Sequence, residues 1–312
     1  MASSNDSQFL STHSLAEALS AKVSTPKKFL VVDFDGTCTV MDTTPMLPKL
    51  AALMQNGKET TNVSTLDERL ETFSALEQEY HARYKQAKND LNRVENIPSL
   101  FEALERLDDV SNVVTAKVTA AGVLSGLKAS LDYTEEMTKV LEDHSLQIQL
   151  QKQCGRVLYK VHASEHCELR ILSINWCPSL ISACLQPHLP KDKEPPFIWS
   201  NMVDHRNGKV LLQIPGALAK QKRIFELKQV DCLVVYVGDS STDLAALLEA
   251  DVGILFCGSE STINMAKQAG VCFLSLSKLK THKKKKDIIW TTDSWSEIEA
   301  LVESKDEREW FL

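Results

Sequence analysis

A short apolar run, Phe29-Leu30-Val31-Val32, stops on Asp33-Phe34-Asp35-Gly36-Thr37. The run is continuous where a half-exposed strand would alternate, and it ends in β-branched residues. It therefore predicts a strand covered on both faces, as in a parallel sheet. Such a strand needs further parallel strands beside it and helices above and below, and the rest of the chain supplies both patterns. Leu169-Arg170-Ile171-Leu172 runs into Ser173-Ile174-Asn175-Trp176, and residues 232–237 run into Gly238-Asp239-Ser240-Ser241-Thr242-Asp243. Residues 252–257 and 271–277 read as two more strands with a helical stretch, 260–270, between them. Residues 217–228 and 294–304 read as helices, and Asn207-Gly208 between extended segments reads as a hairpin. Strands alternating with helices predict a doubly wound, Rossmann-like α/β fold.

Between the first strand and the others the texture changes. Apolar residues recur at three- and four-residue spacing in three series: Leu66 to Tyr84, Leu100-Leu104-Leu107, and Val123-Leu127-Leu131. This predicts a helical block inserted after the first strand. The expected organisation is a flexible lead-in over 1–27, a core of 28–47 and 160–312, and a helical cap over 48–159. Aromatics at 73, 80, 84 and 133 could stack on a heterocycle, and Glu77 or Glu79 could face a cation, although such a stripe also suits a helical core.

Composition narrows the partners. The chain has 312 residues and a net charge of −7, which does not suggest nucleic acid, and no apolar run approaches a membrane span. The eight cysteines form no C-x-x-C pair and no compact scaffold spacing. With no secretory signal, they are expected as reduced thiols in a cytoplasmic setting. His162, His166 and Cys167 look zinc-like but lack a fourth ligand. The basic run 278–287 reads as a solvated loop before the last helix. A homo-oligomer is left open.

In parallel sheets ligands bind at the carboxyl ends of strands. Asp33, Asp35 and Asp239 are each expected there, and three acids together repel unless a cation lies among them. All-oxygen ligands suit Mg²⁺, so these three are the expected metal ligands, with Asp243, one turn beyond Asp239, supporting them. In a regular strand Asp33 and Asp35 would share a side. Asp33 is the expected nucleophile toward phosphorus, and Asp35 the acid that protonates the leaving alcohol and then activates water. Ser173 and the backbone N–H of Ile174 are expected to hold phosphate oxygens. Lys220, in preference to Lys222, would supply fixed positive charge.

These four ordered elements resemble the motifs of the haloacid dehalogenase superfamily of phosphatases, over roughly residues 28 to 275. The resemblance implies a Rossmann-like core, Mg²⁺, an aspartyl-phosphate, and a cap of the first type that closes over a small phosphorylated metabolite. More narrowly, residues 33–44, 172–181, 216–220 and 238–254 are similar to the phosphatase domain of a plant bifunctional thiamine-pathway family, fused there to a TenA-like domain. That likeness implies thiamine monophosphate as the substrate. The residues before Lys28 are too few for a TenA-like domain, so its activity is expected to be absent. The alternatives are a nucleotide or sugar-phosphate phosphatase, and a non-catalytic ligand-binding module.

Overall fold

The computed structural model describes residues 28–55, 65–90, 94–229, 232–281 and 287–303. The expected lead-in over 1–27 and residues 282–286 of the basic run lie outside them. The strands are β1 (Lys28–Val32), β2 (Cys167–Leu172), β3 (Phe197–Trp199), β4 (Met202–Asp204), β5 (Lys209–Leu211), β6 (Leu233–Gly238), β7 (Val252–Phe256), β8 (Cys272–Ser275) and β9 (Ile288–Thr292). Seven of them form one sheet in the order β3-β2-β1-β6-β7-β9-β8, with every neighbouring pair parallel. β4 and β5 pair separately as an antiparallel hairpin.

β1 is covered on both faces, as its continuous apolar pattern requires. Phe29 and Val31 belong to one buried cluster with Val234 and Tyr236 of β6. Leu30 and Val32 belong to another with Val235 and Val237. The two-residue side-chain period of a strand thus divides each central strand between two cores. The chain leaves β1 toward β2 and β3, then returns to the other side of β1 as β6. The switch in strand order falls between β1 and β6, where a crevice opens at the carboxyl edge.

The insert carries α1 (Leu47–Met54), α2 (Leu66–Asp90), α3 (Ile97–Ala121) and α4 (Thr134–Asp143). α3 starts on a reciprocal Asn96–Ser99 capping box and stops at Gly122, whose φ is 62°. At 25 residues it is roughly 37 Å long. Its first half packs Leu100, Leu104 and Leu107 against the sheet-side core, and its second half packs Val114 and Val118 within the insert. One rigid element is therefore shared by both cores. The remaining helices are α5 (Cys154–Ala163), α6 (Pro178–Leu185), α7 (Ala217–Lys228), α8 (Leu244–Glu249), α9 (Glu260–Gln268) and α10 (Trp295–Val302).

Four details differ from the sequence reading. The series Val123-Leu127-Leu131 is not helical: Gly122 and Gly126 take positive φ and the chain turns, yet Val123 and Leu127 stay buried. β9, a stretch left unassigned between the basic run and the last helix, is a strand and lies between β7 and β8. The boundaries at 47/48 and 159/160 fall beside the start of α1 and inside α5. The two chain passages into and out of the insert run side by side earlier, through Val40 N to Gln149 O (2.9 Å) and Gln151 N to Cys38 O (2.8 Å). α5 packs Cys154, Val157 and Leu158 into the sheet-side cluster. The β4–β5 hairpin, counted with the core, packs Val203 and Val210 into the insert. Its turn needs Gly208, which has φ 73° and where a β-carbon would lie 2.6 Å from the Ser125 nitrogen. No helix among the described residues is long and apolar enough to cross a membrane, and all eight cysteines are free.

Candidate active site

The acids after β1 and β6 meet in the crevice. The Asp33 N–H bonds Val237 O at 2.9 Å, prolonging the β1–β6 pairing by one residue. The chain then turns, and Cys38 N bonds Phe34 O at 2.8 Å. Gly36 sits in this turn with φ 75°, and a β-carbon there would lie 2.5 Å from Asp239 Oδ2. Glycine is required twice over, by conformation and by space. Thr37 donates its hydroxyl to Asp239 Oδ1 at 2.8 Å, tying the two loops together.

Lys220, on α7, is fully buried and donates to Asp33 Oδ2 and Asp243 Oδ1, both at 2.7 Å. Lys222, two residues on, is exposed. Asp243 also accepts from the Tyr236 hydroxyl (2.6 Å) and from the N–H groups of Asp239 (3.1 Å) and Ser240 (3.0 Å). Oxygens of Asp33, Asp239 and Asp243 lie within 4.8 Å of one another.

Asp35 goes elsewhere. β1 has ended and the chain has turned, so the shared side expected of a regular strand does not hold. Its Oδ1 accepts from Thr43 N (2.8 Å) and Thr43 Oγ1 (2.7 Å), and its Oδ2 from Asn175 Nδ2 (2.7 Å). The carboxylate grouping therefore differs from the expected metal set: Asp243 stands with Asp33 and Asp239, and Asp35 does not. Ser173 follows β2 as expected, is buried, and accepts from Asn175 N at 3.1 Å. Ile174 follows it at the same edge, half-buried. Thr37, Thr43, Asn175 and Tyr236 were not singled out from the sequence. Thr37 and Asn175 lie within two residues of Asp35 and Ser173, so their motifs held a signal. Thr43 and Tyr236 carried none.

Burial governs the electrostatics. It pushes the Asp33 carboxyl well above the usual range, with the Lys220 ammonium opposing. It also raises Asp35 to about 6, helped by Asp42 and opposed by Asn175 and Thr43. Asp239 rises to about 7 through burial and the Asp243 charge, with Thr37 opposing. Asp243 is the exception: against its burial, Lys220 and the bonds from Tyr236 and Ser240 hold it below the usual range. Burial disfavours the Lys220 ammonium, but Asp243 and Asp33 outweigh it and hold its pKa above the usual lysine value. Three acids thus face one ammonium. Their all-oxygen donor set and excess negative charge fit a hard divalent cation such as Mg²⁺.

A cavity opens on the Asp35 side. Its walls include Asp42 and Trp176, which flank Thr43 and Asn175 at distances of one residue, together with Phe73, Glu77 and Tyr80 of α2. Of the other insert residues considered, Glu79 pairs with Arg83 and Lys117 at the surface. The Tyr84 hydroxyl bonds Ser241 Oγ at 2.6 Å, and Tyr133 packs edge-on to His205. His162 bonds Glu194 O at 2.8 Å, while Cys167 is buried in β2.

No protein-family model matches the chain. The bifunctional TH2 protein, mitochondrial, of Arabidopsis thaliana is 27% identical over 314 residues, covering 86% of this chain and 48% of that protein. The chain thus spans about half the length of the curated relative it matches. Solved structures similar to it include a phospho-aspartyl intermediate analogue of phosphoserine phosphatase, at 16% identity and TM-score 0.43, covering 80% of this chain and 93% of that one. Another is a protein of unknown function from Bordetella pertussis Tohama I, at 12% identity and TM-score 0.47, covering 79% and 97%. In the order of its motifs along the chain, and in its parallel sheet with flanking helices, this protein resembles the phosphatases of the haloacid dehalogenase superfamily.

Proposed function

We propose that the protein is a Mg²⁺-dependent phosphomonoesterase that works through an aspartyl-phosphate on Asp33, with thiamine monophosphate as its substrate. The observation that carries the reading is the separation of the two acids after β1. Asp33 lies with Lys220, Asp239 and Asp243. Asp35 lies with Thr43 and Asn175, toward the cavity. Two carboxyls in different surroundings take different roles.

In the first step an Asp33 oxygen bonds to phosphorus and the bond from phosphorus to the leaving oxygen breaks. Asp35 gives that oxygen its proton. In the second step Asp35 takes a proton from water, whose oxygen attacks phosphorus and frees Asp33 and inorganic phosphate. Ser173, the Ile174 N–H and the Lys220 ammonium hold the phosphoryl oxygens, where charge builds in the transition state. Asp33 and Asp239, with Asp243, would hold Mg²⁺, which supplies charge against the repulsion between carboxylate and phosphate. Asp243, whose oxygens already accept from Lys220, Tyr236 and two N–H groups, chiefly fixes Lys220 and the Asp239 loop.

The cavity supports the substrate. Tyr80 and Trp176 offer aromatic faces, and Asp42 and Glu77 offer negative charge, to a flat cationic leaving group. The narrower likeness in the sequence points the same way. The test is a panel of thiamine monophosphate, nucleotides, sugar phosphates and p-nitrophenyl phosphate, each with Mg²⁺ or EDTA. Thiamine monophosphate is expected to have the highest kcat/KM, and EDTA to abolish turnover. Hydrolysis of other esters with thiamine monophosphate among the poorest would overturn the substrate. No hydrolysis of any ester with Mg²⁺ would overturn the phosphatase and leave a ligand-binding module.

A further inference from the structure

α7 carries Lys220 one turn from its start, so whatever fixes that start fixes the lysine. A helix start leaves four N–H groups without intrahelical partners. The residue before α7 is Gly216, which has no side chain to offer them, and its backbone is extended. The partner comes from the insert. The carboxylate of Asp108, on α3, lies over that start, and the N–H groups of Ala217 and Leu218 favour its charged form. The approach is close: a β-carbon on Gly216 would lie 2.0 Å from the Asp108 carboxyl carbon. Glycine at 216 and an acid at 108 form a single arrangement, a helix cap supplied from another element. An acid suits the place, because its charge faces the free N–H groups at the positive end of the helix.

The surroundings make the contact rigid. Leu104 and Leu107 of α3 pack in the same buried cluster as Ile214, Ala217 and Ile224 around α7. Lys220 N makes the first intrahelical bond, to Gly216 O at 3.1 Å. The ammonium at the end of that side chain bridges two carboxylates with no exposure, which leaves little room for error in the height of α7. The far half of α3 belongs to the insert's own core.

We infer that Asp108 is a positioning residue of the reaction: from the insert it closes the first turn of α7 and holds Lys220 at the reach needed to bridge Asp33 and Asp243. Its kinetic consequence rests on the phosphatase reading above. The insert is then more than a cover for the substrate, because a displacement of α3 is passed to Lys220 through one side chain.

The test compares the full-length wild type with Asp108→Ala and Asp108→Asn, using p-nitrophenyl phosphate and Mg²⁺ well below the Tm of each. Asp108→Ala is expected to lower kcat by about ten- to a hundredfold, the scale of a small misplacement near the chemistry, with KM changed by less than about twofold. Asp108→Asn keeps a side-chain acceptor and is expected to restore most of kcat. Amide hydrogen exchange at Ala217 and Leu218 is read alongside: faster in Asp108→Ala, near wild type in Asp108→Asn. A side chain that only stabilised the fold would lower Tm and leave kcat of the folded protein alone. Unchanged kcat or unchanged exchange in folded Asp108→Ala overturns the inference, and so does an Asn variant as slow as the Ala variant. If the wild type hydrolyses nothing, the phosphatase reading falls, while exchange still decides whether Asp108 holds α7.

Discussion

The carboxyl edge of the sheet and the insert-side wall of the cavity are built on opposite principles. At the sheet edge Asp33, Asp243 and Lys220 are buried and joined by charge-assisted bonds of 2.7 Å. Each follows a strand or sits within a turn of a helix start, so backbone geometry places it. On the cavity wall the contributions come from the faces of long helices and from loop residues, many of them half-exposed, and few are bonded to one another. The first region is intolerant of change because each group is the partner of another buried charge. The second can vary one side chain at a time, as the proposed selection of a leaving group would require.

The contrast can be broken at four points. On the proposed mechanism, Asp33→Asn should lower kcat for every ester by at least on the order of 10³-fold, since it removes the proposed nucleophile. Its fold should persist, because Lys220 keeps Asp243 as a partner. Steady-state rates on two unrelated esters check this, and retained turnover would refute the edge as the reacting centre. Lys220→Met should cost activity by about 10²-fold or more and stability by about 3–5 kcal/mol, because it strands two buried carboxylates. Urea unfolding measures the second loss.

On the cavity wall the effects should be smaller and selective. Glu77→Gln and Trp176→Ala should each raise KM for thiamine monophosphate by about three- to thirtyfold, the scale of a cation–aromatic or charge contact. Values for p-nitrophenyl phosphate should stay within about twofold. Equal losses on both esters would erase the distinction between the two regions.

The smallest effect lies at their junction. Burial raises Asp108 to about 6, while the bonds from Ala217 and Leu218 and the Lys220 charge oppose it and Asp109 adds to it. A carboxyl whose folded pKa exceeds its unfolded value near 3.8 binds its proton more tightly when folded. Wild-type stability is therefore lost as pH rises from about 4 to 6 and is level above that. Asp108→Asn does not titrate, so its stability relative to wild type should improve across that window, by on the order of 1 kcal/mol after solvent screening. Thermal unfolding at pH 4 and pH 7 decides it; an Asn variant that worsens with pH would reverse the sign.

Much of the sheet edge was legible because its signals are local. A continuous β-branched run ending on acids marks both the strand and its end, and Ser173 and Asp239 are marked in the same way. β9 was missed because Ile288–Thr292 is a short stretch between the basic run and the last helix, and only pairing with β7 and β8 makes it a strand. The hairpin was found, but its allegiance to the insert was not, because Val203 and Val210 read the same whichever core they enter. The third helical series failed on Gly122 and Gly126, where positive φ outweighed apolar spacing.

The sequence by itself determined a parallel sheet with acids, a serine and a lysine at its carboxyl edge and a helical insert after the first strand, because strand and helix periods are written in neighbouring residues. Only the tertiary structure separated Asp35 from Asp33, buried Lys220 between two carboxylates while leaving Lys222 exposed, and brought Asp108 onto α7. Those outcomes depend on where a turn ends and how far one helix lies from another. No local pattern encodes such distances; they are fixed when buried side chains pack and buried charges find partners.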